Sequence, residues 1–460
     1  MPAKSGSVLI EGAVIVTMDP RRRIIEGGSI FVEEGRIARI GGPDSVRGGN
    51  RADTVIQAKG MAVIPGLVDT HIHLAQGLLR GCADDLSLVD WLRKRVWPLQ
   101  GCFTEADGRV SAEISMLEML KSGTTSFVGV DVVSRYGFDG IASTVARVGM
   151  RGALAKTIMD SPGYGTKRSI VPPGLIEDKA ACIREAKSMI RKWNKNKGGL
   201  VKAWVAPRSL GGCTKELYEE VAGLIQEENT RMTMHLAEVQ EDVVYAKKNF
   251  GLTPFGFIEK VGLAGPGSLF AHMVWLNDQD IRRVARTKSN VAHCPSSNLK
   301  LASGVPRIPE MIDAGVNVGL GCDGAPCNNS HDMIREMKLA AIIQKARLLD
   351  PRSMPATKVL GMATVNGARA MGMQSEVGSI EVGKKADLVL IDLKKPHLVP
   401  YTDIVSNVVY SAMGSDVDTV LVDGKILLKN GEALTLDEDR VMNEAQRHQD
   451  ELFARSGIRA

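Results

Sequence analysis

The spacing of apolar residues changes twice along the chain. From about Ser7 to Gly60, apolar and polar positions alternate between glycine turns, as in "SVLIEGAVIVTMD" and "SIFVEEGRIARIG". A period of two predicts short strands that bury one face. The same alternation of apolar and polar residues returns after about Glu376 in "GSIEVGKKADLVLIDL" and "VDTVLVDGKILLKNGE". We therefore predict that residues 1–60 and 376–434 together build one small β domain.

Residues 61–375 show a different pattern, in which apolar strand-like runs alternate with helical stretches. The strand candidates are "MAVIPGLVDTHIH", "TTSFVGV", "RGALAKTI", "LVKAWVAP", "RMTMHLA", "SLFAHMV", "NVAHCP" and "VNVGLGCDG". Helical stretches include "TKELYEEVAGLIQEEN", which ends at Asn229, a plausible helix stop. Eight such alternations predict an α/β fold, a (β/α)8 TIM-type barrel. An open doubly wound sheet is the alternative, although the chain carries no glycine-rich dinucleotide fingerprint. A C-terminal helix over 435–460 closes the chain.

The composition narrows the class of partner. The chain has 460 residues, of which 44% are hydrophobic and 24% charged, as in an ordinary globular protein. The net charge of +5 is spread along the chain, and short basic runs such as Arg21–Arg23 indicate solvated turns. Aromatic residues rarely accompany these runs, so we expect no nucleic-acid partner.

Cysteine usage and hydropathy point to the cytoplasm. The seven cysteines are scattered and form no CxxC pair, which indicates reduced thiols. The first residues, "MPAKSGSVLIEG", lack the apolar core of a signal peptide, and no apolar run reaches transmembrane length. We expect a cytoplasmic protein without a membrane partner.

Histidines collect at the ends of the predicted barrel strands. Five of the eight histidines lie there, although any one of them alone could be a structural residue. The strand-end residues are His71 and His73 in "VDTHIH", His235 and Glu238 in "MHLAE", His272 in "AHM", His293 in "AHCPSSN" and Asp323 in "CDG". Active sites of this barrel type lie at the carboxyl ends of the strands. Residues i and i+2 of a strand also point to the same side, which lets His71 and His73 share one target.

Imidazoles with a carboxylate suit a borderline divalent metal such as Zn²⁺ or Fe²⁺. Three neutral nitrogens and one aspartate leave a position for water, whose pKa the metal lowers toward neutrality. Asp323 can coordinate the metal and accept the proton of the water, and Glu238 can carry a proton to the leaving group. We therefore predict one divalent ion, with zinc first and iron or cobalt as alternatives.

The segments "PGLVDTHIH", "HLAE", "FAHMVWL", "AHCPSSNLKLASGV" and "LGCDGAPCNNS" closely resemble the amidohydrolase superfamily. The nearer likeness is to the branch of methylthioadenosine/S-adenosylhomocysteine deaminases, guanine deaminases and triazine hydrolases. The resemblance covers about Val8 to Gly431. It implies a metal-dependent barrel with a small β-sandwich made from both chain ends, in a homodimer or homotetramer.

Matched position by position, the resemblance also assigns roles to side chains. It gives His71, His73, His235 and Asp323 as ligands of one metal. It gives Glu238 as the proton shuttle and His272 as the residue that orients the water or the substrate.

Four further residues are predicted to bind substrate, namely Gln76, Gln100, Arg208 and His293. Gln100 stands where the resembling nucleoside deaminases have a glutamate for the ribose hydroxyls. Gln76 and the "PRS" segment with Arg208 resemble guanine deaminases, and together they would suit a ring carbonyl beside an amide N–H. The alternatives are a salt bridge at the barrel rim for Arg208 and a helix cap for Gln76.

The remaining candidates receive structural roles. Trp91 and Trp97 could line the mouth of the pocket, but their spacing fits helix packing better. His331 could contact substrate, but we expect it at the surface, at a helix start. Cys82, Cys294, Cys322 and Cys327 lie near the rim in sequence, but a nucleophilic thiol needs a base partner, so we expect packing roles.

The sequence thus predicts an aminohydrolase that deaminates a nitrogen heterocycle of purine, pterin or triazine type, with water as the second substrate. The resemblance supplies the choice of deamination. The alternatives are hydrolysis of a chloro-triazine or of a urea- or carbamate-type C–N bond at the same site. A noncatalytic scaffold is a remote alternative, because such a protein would be expected to lose metal ligands and this chain keeps the full set.

Overall fold

The computed structural model describes residues 6–42, 46, 52–165, 169–196 and 198–459. The predicted domain limits at residues 1 and 460 therefore lie outside the described residues. No helix in these ranges combines the length and apolar character needed to cross a membrane.

Eight parallel strands close into a barrel, which confirms the predicted fold and rules out the open sheet. The order around the barrel follows the chain from β6 to β13, and β13 pairs with β6. The strands are β6 Leu67–Ile72, β7 Thr124–Val132, β8 Arg151–Ile158, β9 Val201–Pro207, β10 Met232–Leu236, β11 Ser268–His272, β12 Asn290–His293 and β13 Asn317–Leu320. Nearly every residue in them is buried, because helices cover the outer face of a parallel barrel.

The two chain ends build a nine-stranded sheet, which confirms the predicted composite β domain. Its strands are β1 Val8–Val16, β2 Ile24–Glu33, β3 Arg36–Gly41, β4 Thr54–Gln57, β5 Met61–Pro65, β14 Leu388–Asp392, β15 Val417–Val422, β16 Lys425–Lys429 and β17 Glu432–Ala433. The order is β17-β16-β15-β14-β5-β1-β2-β3, and β4 pairs with β1. Strand β5 joins the two halves, since it pairs with β1 on one side and β14 on the other.

The stretch from Met61 to His73 was predicted as one strand and is two. Strand β5 belongs to the sheet, and β6 begins the barrel after Gly66. A Cβ atom at Gly66 would lie 2.1 Å from the Thr125 hydroxyl, so only glycine allows the chain to cross between the two units there. A continuous apolar run cannot reveal such a break, because both halves are buried.

Helices connect the barrel strands and close the chain. The α-helices are Leu88–Trp91, Trp97–Gln100, Glu105–Lys121, Phe138–Val148, Lys179–Trp193, Lys215–Glu228, Gln240–Phe250, Pro254–Lys260, Asp278–Thr287, Pro295–Lys300, Ile308–Asp313, Ala325–Asn328, Met333–Leu348, Ala356–Gly361, Gly367–Ala370, Ile404–Tyr410 and Glu438–Ser456. Leu92–Val96 and Met362–Asn366 are π-helical, and Leu74–Leu79, Ser134–Tyr136, Pro173–Leu175, Pro396–Leu398 and Gly414–Asp416 are 3₁₀ turns.

Local sequence explains several helix limits. The Thr214 side chain accepts a hydrogen bond from the Leu217 amide and starts Lys215–Glu228. Asn229 ends the same helix in the left-handed conformation with φ 46°, which confirms the predicted stop.

A buried ion pair fastens the barrel to the sheet. Arg151, at the start of β8, donates from Nε and Nη2 to the two carboxylate oxygens of Asp387 at 2.9 and 3.0 Å. Asp387 directly precedes β14. A bidentate ion pair of this kind fixes the relative orientation of the two side chains as well as their distance. It lies at the amino ends of the barrel strands and leaves the opposite rim free for a site.

Candidate metal centre and active site

The carboxyl ends of the barrel strands bring together buried imidazoles and a carboxylate. One ligand atom from each of His71, His235, His272 and Asp323 lies within 4.8 Å of the others. His71 and His235 lie on β6 and β10, His272 ends β11, and Asp323 follows β13. The parallel barrel places these strand ends on one rim, so residues far apart in the chain meet there.

The backbone at this rim is held in a rare conformation. His272 and Asp323 have φ values of 74° and 65°, in the left-handed region that non-glycine residues seldom adopt. The Asp323 amide donates to the His71 carbonyl at 2.8 Å, which fixes the end of β13 against β6. Such strain persists only where the surrounding structure enforces it, and it collects at functional sites.

His73 touches two members of this group. Its Nε2 atom lies 3.1 Å from Oδ1 of Asp323 and 2.9 Å from Nε2 of His235. Its other nitrogen, Nδ1, faces a carboxylate oxygen of Asp131 at 3.1 Å. A carboxylate in this position holds the proton on Nδ1 and leaves a lone pair on Nε2, as for metal-binding histidines.

The proton of His235 decides what its Nε2 can bind. Nδ1 of His235 lies 3.1 Å from the carbonyl oxygen of Arg208 and 2.9 Å from Nη1 of the same residue. With its proton on Nδ1, His235 donates to the carbonyl, and the Nε2 lone pair then faces the lone pair of His73. Two facing lone pairs repel each other unless a cation lies between them.

The donor set fits a divalent metal ion. Nε2 of His71 is buried, has no hydrogen-bond partner among the described residues, and lies 3.5 Å from Oδ1 of Asp323. A buried nitrogen without a partner costs free energy that coordination would offset. Neutral imidazole nitrogens with one carboxylate are ligands that zinc and similar ions prefer.

The protonation states agree with this use. Burial lowers the pKa of His71, and burial with the charge of Arg208 lowers the pKa of His235 well below its usual value. Burial opposes ionisation of Asp323, but its close contacts with the His71 and His73 rings hold its pKa well below the usual range. Metal ligands must be deprotonated, so these three groups are ready to bind. Burial opposes protonation of His73, but hydrogen bonding to Asp131 and Asp323 raises its pKa, so metal binding there would be accompanied by proton release.

Glu238 is a buried acid beside this carboxylate. It follows β10 and is 3% exposed. Burial and the nearby charge of Asp323 raise the pKa of Glu238 well above its usual value. Its Oε1 accepts a hydrogen bond from the Ser303 hydroxyl at 3.3 Å. The raised pKa favours the protonated form of Glu238, which can deliver a proton.

His272 is oriented as a hydrogen-bond donor. The amide nitrogen of Asn298 lies 3.0 Å from Nδ1 of His272, and in this orientation the ring carries its proton on Nε2. That nitrogen lies 3.6 Å from Glu238 and 3.9 Å from Asp323. Burial lowers the pKa of His272 to about 3, so the ring is neutral. This proton favours His73 over His272 as the third nitrogen ligand.

Asp131 is a functional residue that sequence reasoning missed. It lies near the end of β7, is 5% exposed and has φ 63°. Besides His73, it accepts hydrogen bonds from Gln76 at 3.3 Å and Gln100 at 3.2 Å, and it pairs with Arg208 at 3.2 Å. Burial opposes its ionisation, but Arg208, His73 and Gln100 keep its pKa well below the usual value. The strand-end rule applied to "TTSFVGVDV" could have found it.

Only one of the four predicted substrate-binding residues lines the cavity beside the cluster, and that residue is Arg208. It forms the rim salt bridge that was the alternative. Gln76 and Gln100 are buried behind it on Asp131, and the Gln76 side chain caps no helix. His293 ends β12 with its ring buried, and burial lowers its pKa to about 3. Substrate binding by these residues stays a prediction.

A short helical segment contributes to the wall of a cavity beside the cluster. The cavity is lined by His73, Leu88, Trp91, Leu92, Tyr164, Arg208, His235, Glu238, His272, Leu301, Asp323 and Cys327. Its free volume is about 10 Å³, roughly the space of one water molecule. Trp91 packs in the core, as predicted, and it also lines this cavity, which was the alternative. A heterocycle can therefore enter only if residues that line this cavity move.

One expectation outside the cluster is wrong. His331 was expected at the surface and is fully buried, 3.5 Å from Glu118. Asp332 caps the following helix instead and turns His331 inward.

The cysteines give no sign of a nucleophile. Burial raises the pKa of Cys294, Cys322 and Cys327 well above the usual value and that of Cys82 to about 12. Thiols that stay protonated suit the packing role expected for them.

The chain is similar over nearly its full length to proteins named as nucleoside deaminases, and its structure is similar to that of a zinc-bound deaminase. A 5'-deoxyadenosine deaminase of Methanosarcina mazei is 38% identical over 449 residues, which cover 97% of this chain and 99% of that protein. A 5-methylthioadenosine/S-adenosylhomocysteine deaminase of Moorella thermoacetica is 39% identical, over 95% of this chain and 97% of that protein. The structure also resembles a zinc-bound adenosine deaminase of Xanthomonas campestris, with a TM-score of 0.90, 28% identity, and coverage of 97% and 98%.

The sequence model of the amidohydrolase family, whose members are hydrolases, matches residues 62–427. This range contains the whole metal cluster, Glu238 and Asp131. It confirms the resemblance found in the strand-end motifs. The chain belongs to the amidohydrolase family.

Proposed function

We propose that this protein is a zinc-dependent aminohydrolase that releases ammonia from an amino-bearing purine, with an adenosine-type nucleoside as its substrate class. The near-full-length relatives named as deaminases of such nucleosides support this choice over pterins and triazines. The zinc-bound neighbour supports zinc over iron or cobalt.

The observation that carries the proposal is the pair Glu238 and Asp323. Both carboxyl groups are buried in one cavity, yet the pKa of Glu238 is raised and that of Asp323 is lowered. Neighbouring carboxyl groups whose pKa values are shifted in opposite directions divide the acid and base roles between them. Deamination needs both, since water must lose a proton and the leaving amine must gain one.

A divalent cation held by His71, His73, His235 and Asp323 would lower the pKa of a water at this site toward neutrality. The two oxygens of Asp323 are suited to different tasks. Oδ1 faces His71 and His73, whereas Oδ2 faces His272. One oxygen can therefore hold the cation while the other accepts a proton from the water.

Glu238 and His272 act on the substrate. The attacking oxygen bonds to the ring carbon that carries the amine, and Glu238 delivers its proton first to the adjacent ring nitrogen. The C–N bond then breaks, and ammonia leaves with the proton that Asp323 removed from the water. The remaining hydroxyl proton passes to Glu238, which restores its proton and leaves a carbonyl on the ring. Nε2–H of His272 can donate to the oxygen that is bonding to the ring, where negative charge develops.

The same proton decides between leaving groups. Chloride leaves without protonation, so a protonated Glu238 would add little to the hydrolysis of a chloro-triazine. An amine leaves only after gaining a proton. The raised pKa of Glu238 therefore favours the deaminase over the chlorohydrolase. Arg208 is paired with Asp131, which weakens its assignment to a ring carbonyl of a guanine-like substrate.

The test combines metal analysis with product analysis. The purified protein is assayed for bound metal by elemental analysis and then incubated with adenosine, guanine, a pterin, an amino-triazine, a chloro-triazine and an aryl urea. Ammonia, chloride and released amine are measured separately. We expect stoichiometric zinc, and ammonia from adenosine at the highest kcat/KM. Chloride or aryl amine as the main product, or a protein that takes up no metal, would overturn the proposal.

We further propose a cytoplasmic homodimer or homotetramer. The cysteines are all unpaired in the structure, which supports a reducing compartment. Light scattering on the purified protein tests the assembly, and cell fractionation tests the compartment.

A further inference from the structure

We propose that a cavity between the barrel and the β domain is a second ligand site, which binds a phosphorylated small molecule of nucleotide size. The cavity lies where strands β8, β9 and β10 begin, at the opposite end of the barrel from the metal cluster. Its volume of about 590 Å³ is within the range of small-molecule sites. This site is separate from the reaction at the metal cluster and would bind its ligand whatever that reaction is.

The walls of the cavity carry more cations than acids. The charged residues among the described lining residues are Arg36, Arg151, Lys202, Arg231, Lys385 and Glu376. Three of the cations, Arg36, Arg151 and Lys385, each contact a carboxylate at 2.6–3.0 Å. Burial and the nearby charge of Arg151 lower the pKa of Lys202, which indicates a positive potential in this wall. An anion in the cavity would relieve that potential.

Arg231 is held in place with one edge of its guanidinium group unused. Its Nη1 atom donates to the carbonyl oxygens of Pro266 at 3.0 Å and Ala370 at 3.1 Å. The Nε and Nη2 atoms have no hydrogen-bond partner among the described residues. Burial lowers the pKa of Arg231 without an opposing effect from any acid in that part of the chain. This edge of a guanidinium group can bind two oxygens of one phosphate.

The guanidinium group of Arg231 packs against a glycine and an aromatic ring. Gly372 has φ 73°, and a Cβ atom there would lie 2.5 Å from Nη2 of Arg231, so any other residue would displace the group. The Cζ atom of Arg231 lies 5.9 Å from the centre of the Trp204 ring, within the range of a cation–π contact. A donor that is positioned before the ligand arrives loses little conformational entropy on binding. The arginine is therefore prepared for an oxyanion.

The remaining lining residues indicate what carries the phosphate. Leu200, Trp204, Met371 and Met373 supply apolar surface. A phosphate ion alone would leave most of the cavity unfilled, whereas a nucleotide could place its phosphate at Arg231 and its ring against the apolar wall. A phosphate monoester carries about two negative charges near neutral pH, which suits a site with several cations. A nucleoside phosphate therefore fits both the charge and the volume.

A bound ligand would join the two units of the fold. Arg36 and Lys385 belong to the β domain, because Arg36 begins β3 and Lys385 pairs with it in a β-bridge. Lys202 lies on barrel strand β9, and Arg231 directly precedes β10. A ligand that contacts both sides binds the folded state only. We therefore expect it to raise the melting temperature of the protein.

The test is a calorimetric titration of the purified protein with four compounds. Uridine 5'-monophosphate (UMP) is the nucleotide probe, because its ring carries no exocyclic amine that an aminohydrolase could remove. Inorganic phosphate, uridine and succinate test the phosphate, the nucleoside and another dianion separately. We expect UMP to bind about tenfold more tightly than phosphate, and phosphate more tightly than uridine or succinate. UMP at 100 times its Kd should raise the melting temperature by about 3–5 °C.

Variants assign the binding to this cavity. Arg231→Gln should weaken UMP binding by about tenfold or more, since it removes charged hydrogen bonds. Lys202→Gln should weaken it by about threefold, and this partly buried residue can be changed even where Arg231→Gln does not fold. Arg447→Gln is the matched control and should bind UMP as the wild type does, because helix Glu438–Ser456 contributes no residue to the cavity.

Three results would overturn the second site as proposed. The first is an absence of UMP binding at millimolar concentration. The second is equal UMP affinity in the wild type and in every folded variant of Arg231 or Lys202, which would place the nucleotide elsewhere, such as at the metal cluster. The third is phosphate binding as tight as that of UMP, which would leave no role for the apolar wall.

Discussion

Replacement of Asp131 by asparagine is the sharpest test of how this site is organised. The substitution keeps the size of the side chain and removes its charge. In the structure, the carboxylate faces the His73 ring, two glutamine amides and the Arg208 guanidinium, all at 3.1–3.3 Å. An asparagine would keep one acceptor oxygen and place a donor against groups that are themselves donors.

The expected loss has two parts. Removal of the carboxylate behind a metal-binding histidine lowers metal affinity by about 10–100-fold, which corresponds to about 1.4–2.7 kcal/mol. Arg208, which is 5% exposed, would also lose its ion-pair partner. An isolated buried charge of this kind costs about 3–5 kcal/mol of folding stability.

The assay measures the two parts separately. The zinc dissociation constant is obtained by competition with a chromophoric chelator, and stability by denaturant unfolding of the metal-free protein. Gln100→Leu is the control, because it removes one neutral hydrogen bond from Asp131 and leaves the charge. The double variant Asp131→Asn/Arg208→Met removes both charges and should regain stability while zinc binding stays weak. A folded Asp131→Asn protein with wild-type zinc affinity would refute this reasoning.

Three further predictions concern other parts of the molecule. Glu238→Gln should bind zinc and fold normally while kcat falls by about 10²–10⁴-fold, as measured by ammonia release; near-normal turnover would remove Glu238 from the mechanism. Arg151→Met should lower the free energy of unfolding by about 3–5 kcal/mol because Asp387 stays buried without its partner, and the loss should shrink when Asp387 is replaced by leucine as well. Gly424→Ala should destabilise the fold by more than about 1 kcal/mol, since the residue has φ 73° and a Cβ would lie 2.7 Å from Cα of Gly35; a melting temperature equal to that of the wild type would contradict this.

The sequence alone determined most elements of this protein and the side chains that meet in the candidate metal cluster. Strand-like runs bounded by glycine, caps such as Thr214 and stops such as Asn229 act over a few residues, so they can be read locally. The hairpin between β15 and β16 follows the same rule, because Asp423 and Gly424 both adopt the positive φ that a two-residue turn requires. Histidines at strand ends predicted the cluster because a parallel barrel gathers those ends at one rim.

Only the tertiary structure decided which of these side chains face one another. Asp131 and Arg208 are 77 positions apart in the printed sequence, and no local pattern marks them as partners. The break between β5 and β6 and the burial of His331 were equally hidden. Each depends on what packs against a residue from a distant part of the chain, and hydrophobic periodicity reports that a position is buried without reporting against what.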